Sequence, residues 1–307
     1  MLALVNTPQG WEPAQLQEVE EPTAAENEAI VEVHAFSLNR GELRLLTSRP
    51  EGWRPGQDIS GVVGKAAPNG SGAQKGERVV GLVDQGGWAQ RVVVPTERLA
   101  VLPEGVSFTE AASLPVAGLT ALRALRLGGP LLGRRVLVTG ASGGVGHFAI
   151  QLASSAGARV AGVVGNPNRA EGLAELGVEE IASGIEDLGG PFDLILESVG
   201  GRSLEVALRL VVPDGTVVVF GNSSGEPSEI AFGSVLASPR AKLYTFFVYA
   251  SADKETFGED LALLASLVAS GKLRPQVGFE AGWQELGRAV EALRGRRVEG
   301  RVVLWVE

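Results

Sequence analysis

The sequence contains no cysteine. Disulfides, thiolate metal centres and a cysteine nucleophile are therefore excluded. Histidine is almost as scarce: His34 and His147 are the only two, too few for an imidazole-rich metal site. No run of 18 apolar residues occurs, so no membrane span is expected. The chain enters Leu2-Ala3-Leu4-Val5 without a basic stretch before it, so no signal peptide is expected and a cytoplasmic location follows. Basic charge is in deficit, with 27 Lys and Arg against 36 Asp and Glu, and a net charge of −9 argues against nucleic acid as a partner. No internal repeat is visible. The remaining balance, 45% hydrophobic and 21% charged, is that of an ordinary soluble protein, and 307 residues suggest two domains.

Two textures follow one another. The first 115 or so residues read as short strands joined by turns. In the candidate strand 30–35, Val31, Val33 and Ala35 share one face while Glu32 and His34 take the other. Residues 59–64, 78–83 and 89–94 are further strands, and Pro68-Asn69-Gly70-Ser71-Gly72 is a turn-rich loop. The pattern changes at Ser107-Phe108-Thr109-Glu110, a capping box that opens a helical stretch to about Leu127, with possible interruptions at Pro115 and Gly118. Strands and helices then alternate: strand 136–139, helix 144–156 ending at Gly157, strand 159–164, and a helix from Asn166-Pro167 to Gly177. Strands 193–196, 216–220 and 243–248 follow, then helical runs at about 255–270 and 283–294 and a last strand 302–306. Such alternation predicts an α/β domain with a parallel sheet covered on both faces.

The most informative stretch is Val136-Leu137-Val138-Thr139-Gly140-Ala141-Ser142-Gly143-Gly144-Val145-Gly146. A short apolar run breaks into small residues, and a helix begins immediately after. Phosphate recognition needs this layout, because glycine admits a close backbone approach and a fresh helix offers unpaired N–H groups. Ala141 replaces the usual first glycine of the G-x-G-x-x-G form. Ser142, Gly143, Gly144 and Val145 are the expected diphosphate contacts.

Further stretches carry a resemblance: Val31–Asn39, Pro55-Gly56-Gln57-Asp58-Ile59-Ser60-Gly61-Val62-Val63, Gly76-Glu77-Arg78-Val79, Gly86-Gly87-Trp88-Ala89-Gln90, Leu114-Pro115-Val116-Ala117-Gly118-Leu119-Thr120-Ala121 and Phe192–Gly201. With the glycine turn, and in this order, they resemble the medium-chain dehydrogenase/reductases, in particular the zinc-free quinone oxidoreductase-like branch. The resemblance implies a Rossmann doubly wound parallel sheet over 118–250 and a β-rich GroES-like catalytic domain over 1–117 and 251–307.

Zinc-dependent members of that family place a cysteine where this chain has Asn39, and a His-Glu pair where it has Gln57-Asp58. The lobe with four zinc-binding cysteines is missing as well. No metal ligand is therefore expected. NAD-specific relatives carry an acid at the end of the second strand of the cofactor domain, about 20 residues past the glycines. Here Val164-Gly165-Asn166 stands there, with Arg169 just beyond. NADPH is the expected cofactor, with Asn166 and Arg169 at its 2′-phosphate. An arginine at that position can equally be a solvated surface residue.

The resemblance assigns the remaining cofactor contacts. Thr120 is expected near the nicotinamide ribose, Val199 and Gly221 at strand ends facing the ligand, Phe247 where a backbone holds the carboxamide, and Arg301 at the pyrophosphate. Asn39 is expected beside the nicotinamide, its amide donating to the acceptor oxygen, although an asparagine ending a strand can also serve its own turn. Glu42 stands where relatives usually carry aspartate and is expected to orient its neighbours. Tyr249 is expected to border the acceptor. Quinone reductases often carry tyrosines after the asparagine, and the stretch 40–47 has none. The expected activity is hydride transfer from NADPH to a quinone or an α,β-unsaturated carbonyl, in a homodimer. Alternatives are a trans-enoyl thioester reductase, with Arg44, Arg49 and Arg54 as a basic entrance, and a non-catalytic NADPH-binding protein.

Overall fold

The computed structural model describes residues 1–10, 12–251 and 256–307. The described elements run β1 (Leu2–Asn6), β2 (Ala14–Glu18), β3 (Glu28–Leu38), α1 (Arg40–Ser48), β4 (Asp58–Lys65), β5 (Arg78–Leu82), β6 (Arg91–Pro95) and β7 (Leu99–Val101). Next come α2 (Phe108–Ala112), α3 (Pro115–Leu127), β8 (Arg135–Thr139), α4 (Gly144–Ser155), β9 (Arg159–Val163), β10 (Val178–Ala182) and β11 (Phe192–Glu197). The chain continues through α5 (Gly201–Leu210), β12 (Val211–Val219), α6 (Phe232–Leu236) and β13 (Lys242–Thr245). It ends with α7 (Phe257–Ala269), β14 (Val277–Gly282), α8 (Leu286–Arg294) and β15 (Arg301–Trp305). Two compact units form: Met1–Leu119 with Ala252–Glu307, and Thr120–Ser251. Among the described residues no helix is long and apolar enough to cross a membrane.

The first unit is built on a sheet of order β14-β15-β3-β4-β5-β7, with β6 also paired to β3 and a separate β1-β2 ribbon. Alternation in β3 buries Ala29, Val31, Val33 and Ala35. Phe36 stacks on Trp88 with ring centroids 5.5 Å apart, and Ile59, Leu46 and Trp283 complete a fully enclosed core. Each such side chain contributes roughly 1.5–3 kcal/mol by leaving water. The capping box forms as expected: the Ser107 side chain accepts from the Glu110 N–H, and the Glu110 carboxylate accepts from the Ser107 N–H.

The second unit is a parallel sheet of order β10-β9-β8-β11-β12-β13. Strand order reverses between β8 and β11, which is the doubly wound arrangement. Leu137, Phe192, Ile195 and Val217 sit in the core beneath it, fully buried.

Several local expectations shift. The helical stretch after Ser107 breaks before Pro115, which starts α3, and Gly118 lies inside that helix. Proline suits a first helical position, where its missing N–H has no partner to lose. A side chain at Gly118 would come within 2.9 Å of Leu264, so the glycine serves the packing of α7. The helix expected over 167–177 is one 3-10 turn, Pro167–Arg169, followed by turns. Gly172, at φ +77°, takes a left-handed conformation that ends regular helix. The strand expected over 243–248 ends at Thr245, and Val248–Ser251 forms a 3-10 turn closed by Ala250 N–H on the Phe247 carbonyl. The helical run expected from 255 begins at Phe257 in the described chain, and residue 255 lies outside the described residues.

Candidate active site

The candidate site residues fall into two groups, one in each unit. In the parallel-sheet unit the chain leaves β8 at Thr139 and turns at Gly140, whose φ of +64° is one that only glycine adopts freely. Ala141 N–H is held by the Val163 carbonyl at the end of β9, and Gly143 N–H by the Gly140 carbonyl. Gly143 caps α4 in extended conformation. A β-carbon on Gly146 would stand 2.5 Å from the carbonyl oxygens of both Gly140 and Ala141. Glycine is thus what lets the helix start against the strand end. The first N–H groups of α4, on Gly144, Val145 and Gly146, have no acceptor within the helix. They sit at the positive end of its dipole. Ser142 is buried in the turn, while Gly143, Gly144 and Val145 are partly accessible. This cradle fits a diphosphate, and a side chain at Gly146 would collapse it.

Beside it, the ends of β8 and β11 are tied by a residue that sequence reasoning did not single out. Glu197 is fully buried. Its Oε1 accepts from the N–H of Val199 at 3.0 Å and of Gly200 at 3.2 Å, and from the Thr139 hydroxyl at 3.3 Å. Its Oε2 accepts from Gly200 N–H at 3.0 Å. The available signal was an acid closing an apolar strand just before Gly200-Gly201. Gly200 has φ +74°, and a β-carbon there would lie 2.3 Å from Asn222 Oδ1. One on Gly221 would lie 2.9 Å from the Ser198 carbonyl oxygen, so the loops carrying Val199 and Gly221 interlock backbone to backbone.

Asn166 and Arg169 share the 3-10 turn after β9, where Asn166 Oδ1 accepts from Asn168 N–H at 3.0 Å. Thr120 is buried on α3. Phe247 and Tyr249 pack ring against ring at 5.2 Å, and Phe247 is 65% exposed.

In the β-rich unit, sheet register assembles a buried polar cluster. β3 pairs with β4 so that Ser37 faces Asp58, and β15 pairs with β3 so that Val302 faces Leu38. Arg301, one residue earlier, therefore reaches Asn39, one residue later. Arg301 Nη1 donates to Asn39 Oδ1 at 2.9 Å, and Nη2 donates to Asp58 Oδ2 at 2.6 Å and to the Ser37 hydroxyl. Asn39 Nδ2 donates to Asp58 Oδ2 at 2.9 Å, and so does the Ser37 hydroxyl at 2.6 Å. Asp58 Oδ1 accepts from Val116 N–H at 2.9 Å. Asn39 N–H donates to Glu42 Oε2 at 2.7 Å and starts α1.

All five side chains are buried, Asn39 and Arg301 being 6% exposed. Burial pushes the Asp58 carboxyl up, while Arg301, Ser37, Val116 and Asn39 pull it back. Burial, and then the Asp58 charge, push Glu42 up to about 8. Its Oε1 and the Arg301 Nε have no hydrogen-bond partner. Asn39, Glu42 and Arg301, expected at separate tasks, thus form one cluster, and the pyrophosphate contact expected of Arg301 gains no support from this placement.

The two histidines do not converge. His34 stacks on Phe108 at 4.5 Å in the β-rich unit. His147 is buried in α4, where burial lowers it to about 4. Among the described residues no group of three or more metal-ligating side chains occurs.

Comparison with known proteins places these features in a family. The model of the alcohol dehydrogenase GroES-like domain matches residues 25–104, and that of the zinc-binding dehydrogenase matches residues 144–266. The crystal structure of the quinone oxidoreductase from Thermus thermophilus, described also in its complex with NADPH, is 32% identical. It aligns over 99% of this chain and 100% of that one with a TM-score of 0.85. The mouse quinone oxidoreductase is 27% identical over 92% of this chain and 90% of its own length. A tomato 2-methylene-furan-3-one reductase is 28% identical over 92% of this chain and 73% of its own.

Proposed function

Because this chain belongs to the quinone oxidoreductase-like branch of the medium-chain dehydrogenase/reductases, we propose that it is an NADPH-dependent, zinc-free reductase of quinones or α,β-unsaturated carbonyls. The observation that carries the proposal is the glycine cradle beside a second strand, β9, that ends without a carboxylate. A dianionic 2′-phosphate meets no repulsion there, and Asn166 and Arg169 can donate to it. In this reading Ser142, Gly143, Gly144 and Val145 hold the diphosphate, and Thr120, Val199, Gly221 and Phe247 line the nicotinamide side. The bound cofactor supplies a hydride.

The protein's own part is to bind, orient and stabilise charge. Asn39 polarises the acceptor oxygen through its amide. Glu42 holds the Asn39 backbone, Arg301 holds its carbonyl oxygen, and Tyr249 borders the acceptor. Zinc has no thiolate to bind, and a guanidinium occupies the polar cluster around Asn39 and Asp58. Similarity to a 2-methylene-furan-3-one reductase, together with the lack of tyrosine over residues 40–47, supports an enone as the acceptor. A homodimer fits the edge strand β13, whose four side chains are all exposed.

Turnover of NADPH against a panel of quinones and enones tests the activity. Metal analysis of the same sample is expected to find no stoichiometric zinc, and one tightly held zinc per chain would end the zinc-free reading. Asn39→Ala is expected to lower kcat per folded site while NADPH affinity stays near wild type, and to lower the melting temperature through the loss of its bonds to Arg301 and Asp58. A wild-type rate with the best acceptor would remove Asn39 from the reaction.

A further inference from the structure

We infer that Asp58 is a positioning residue for the reaction, setting which end of the Asn39 amide faces which way. The inference rests on the role proposed above for Asn39. A primary amide is nearly symmetric in shape, and turning it over exchanges a donor for an acceptor at little steric cost. An amide meant to donate to an acceptor oxygen therefore needs its orientation fixed by its surroundings.

Here two groups of opposite character do so. Asn39 Oδ1 meets Arg301 Nη1 at 2.9 Å, and Asn39 Nδ2 meets Asp58 Oδ2 at 2.9 Å. A guanidinium only donates and an ionised carboxylate only accepts. The reversed amide would set donor against donor at Arg301 and oxygen against oxygen at Asp58. In a buried cluster such contacts are strongly unfavourable.

Asp58 holds the other members in place. It is fully buried and receives the Ser37 hydroxyl, the Asn39 amide and the Arg301 guanidinium on one oxygen and the Val116 N–H on the other. Arg301 in turn needs Asp58, because without it the cation would be buried unpaired. Glu42 acts on Asn39 chiefly through the backbone N–H, at 2.7 Å, and only weakly through the side chain, so the close carboxylate partner of the amide is Asp58. The orientation of the Asn39 amide is thereby fixed without reorganisation, which is what makes a donor effective at a developing charge.

A double-mutant cycle separates positioning from simple stability. Asp58→Asn keeps the shape and removes the charge that specifies the amide. It is expected to lower kcat by roughly tenfold, a size typical of residues in one network, with little change in NADPH affinity. Adding Asp58→Asn to Asn39→Ala is expected to lower kcat no further, because the group being positioned is already gone. Rates are taken per folded site, counted by NADPH titration. Should Asp58→Asn fail to fold, the neutral pair Asp58→Asn with Arg301→Gln leaves no unpaired buried charge and takes its place in the cycle.

Additive losses in the double variant would overturn the inference while leaving the Asn39 role standing. A wild-type kcat for the Asp58 variant would do the same. A wild-type kcat for Asn39→Ala would overturn the Asn39 role and the inference together.

Discussion

The two units build their sites from different material. The β-rich unit works with buried side chains: Asp58, Arg301, Asn39, Glu42 and Ser37, brought together by the register of three strands. The parallel-sheet unit works mainly with backbone, through the N–H groups of a glycine turn and of the loops after β11 and β12. Its one buried acid at this edge, Glu197, spends its oxygens on backbone N–H groups and one hydroxyl. The difference sets what each site tolerates. A side-chain cluster fails when a charge loses its partner. A backbone cradle has no side-chain charge to leave unpaired and fails when something is added to it.

The sharpest way to break the comparison is to remove one partner from the charged cluster. Arg301→Met leaves Asp58 buried without its cation, and a loss of about 3–5 kcal/mol of folding stability is expected in urea unfolding. Asp58→Leu combined with Arg301→Met should restore most of it, since an apolar pair of similar volume is often neutral. If Arg301→Met alone is as stable as wild type, the cluster is not the charge-sensitive region described.

The converse change in the other unit adds one carbon. Gly146→Ala drives a methyl against two carbonyl oxygens at 2.5 Å, and overpacking of that kind costs about 1–3 kcal/mol. The loss should appear in NADPH affinity, read by fluorescence titration, as well as in melting. An alanine variant that binds NADPH as tightly as wild type would show that the cradle can widen.

Arg169→Ala is the test of charge where backbone otherwise dominates. It should reduce the preference for NADPH over NADH by roughly ten- to a hundredfold, the worth of a charge-assisted phosphate contact of about 1.5–3 kcal/mol. Equal preference in both proteins would leave Asn166 or another group to hold the phosphate.

A further prediction concerns pH. Folding raises the Glu42 carboxyl from 4.5 to about 8, so the folded chain holds that proton more firmly than the unfolded one. Its stabilising contribution is complete below about 4.5 and is lost as the pH climbs through about 8. Glu42→Gln should flatten the fall of melting temperature across that range. Parallel pH profiles for the two proteins would mean that Glu42 is ionised in the folded state at neutral pH.

How much of this was legible in the sequence follows the same division. The glycine turn and the strands around it could be read directly, because cradle, strand and helix are contiguous in residues 135–155. The side-chain cluster could not. Asp58 and Arg301 are 243 positions apart, and only the pairing of β15 with β3 and of β3 with β4 brings them together. Asp58 was readable merely as the place of an absent metal ligand. The helix expected over 167–177 failed for a local reason: a good cap and an N-terminal proline start a turn, but Gly172 in left-handed conformation stops it.

The position of β15 has a consequence for how the chain is made. Arg301–Trp305 lies between β14 and β3 and supplies the cation of the buried cluster, yet it is made after every other strand of that sheet. The parallel sheet takes all its strands from residues 135–245 and can close while synthesis continues. The earlier-made β3 must wait with residues 35–38 unpaired on the edge away from β4, and Asp58 waits without its counter-charge. The N-terminal portion is therefore the part of the nascent chain most exposed to wrong strand pairing, and shortening the chain before Arg301 should yield an aggregating product rather than a smaller folded one.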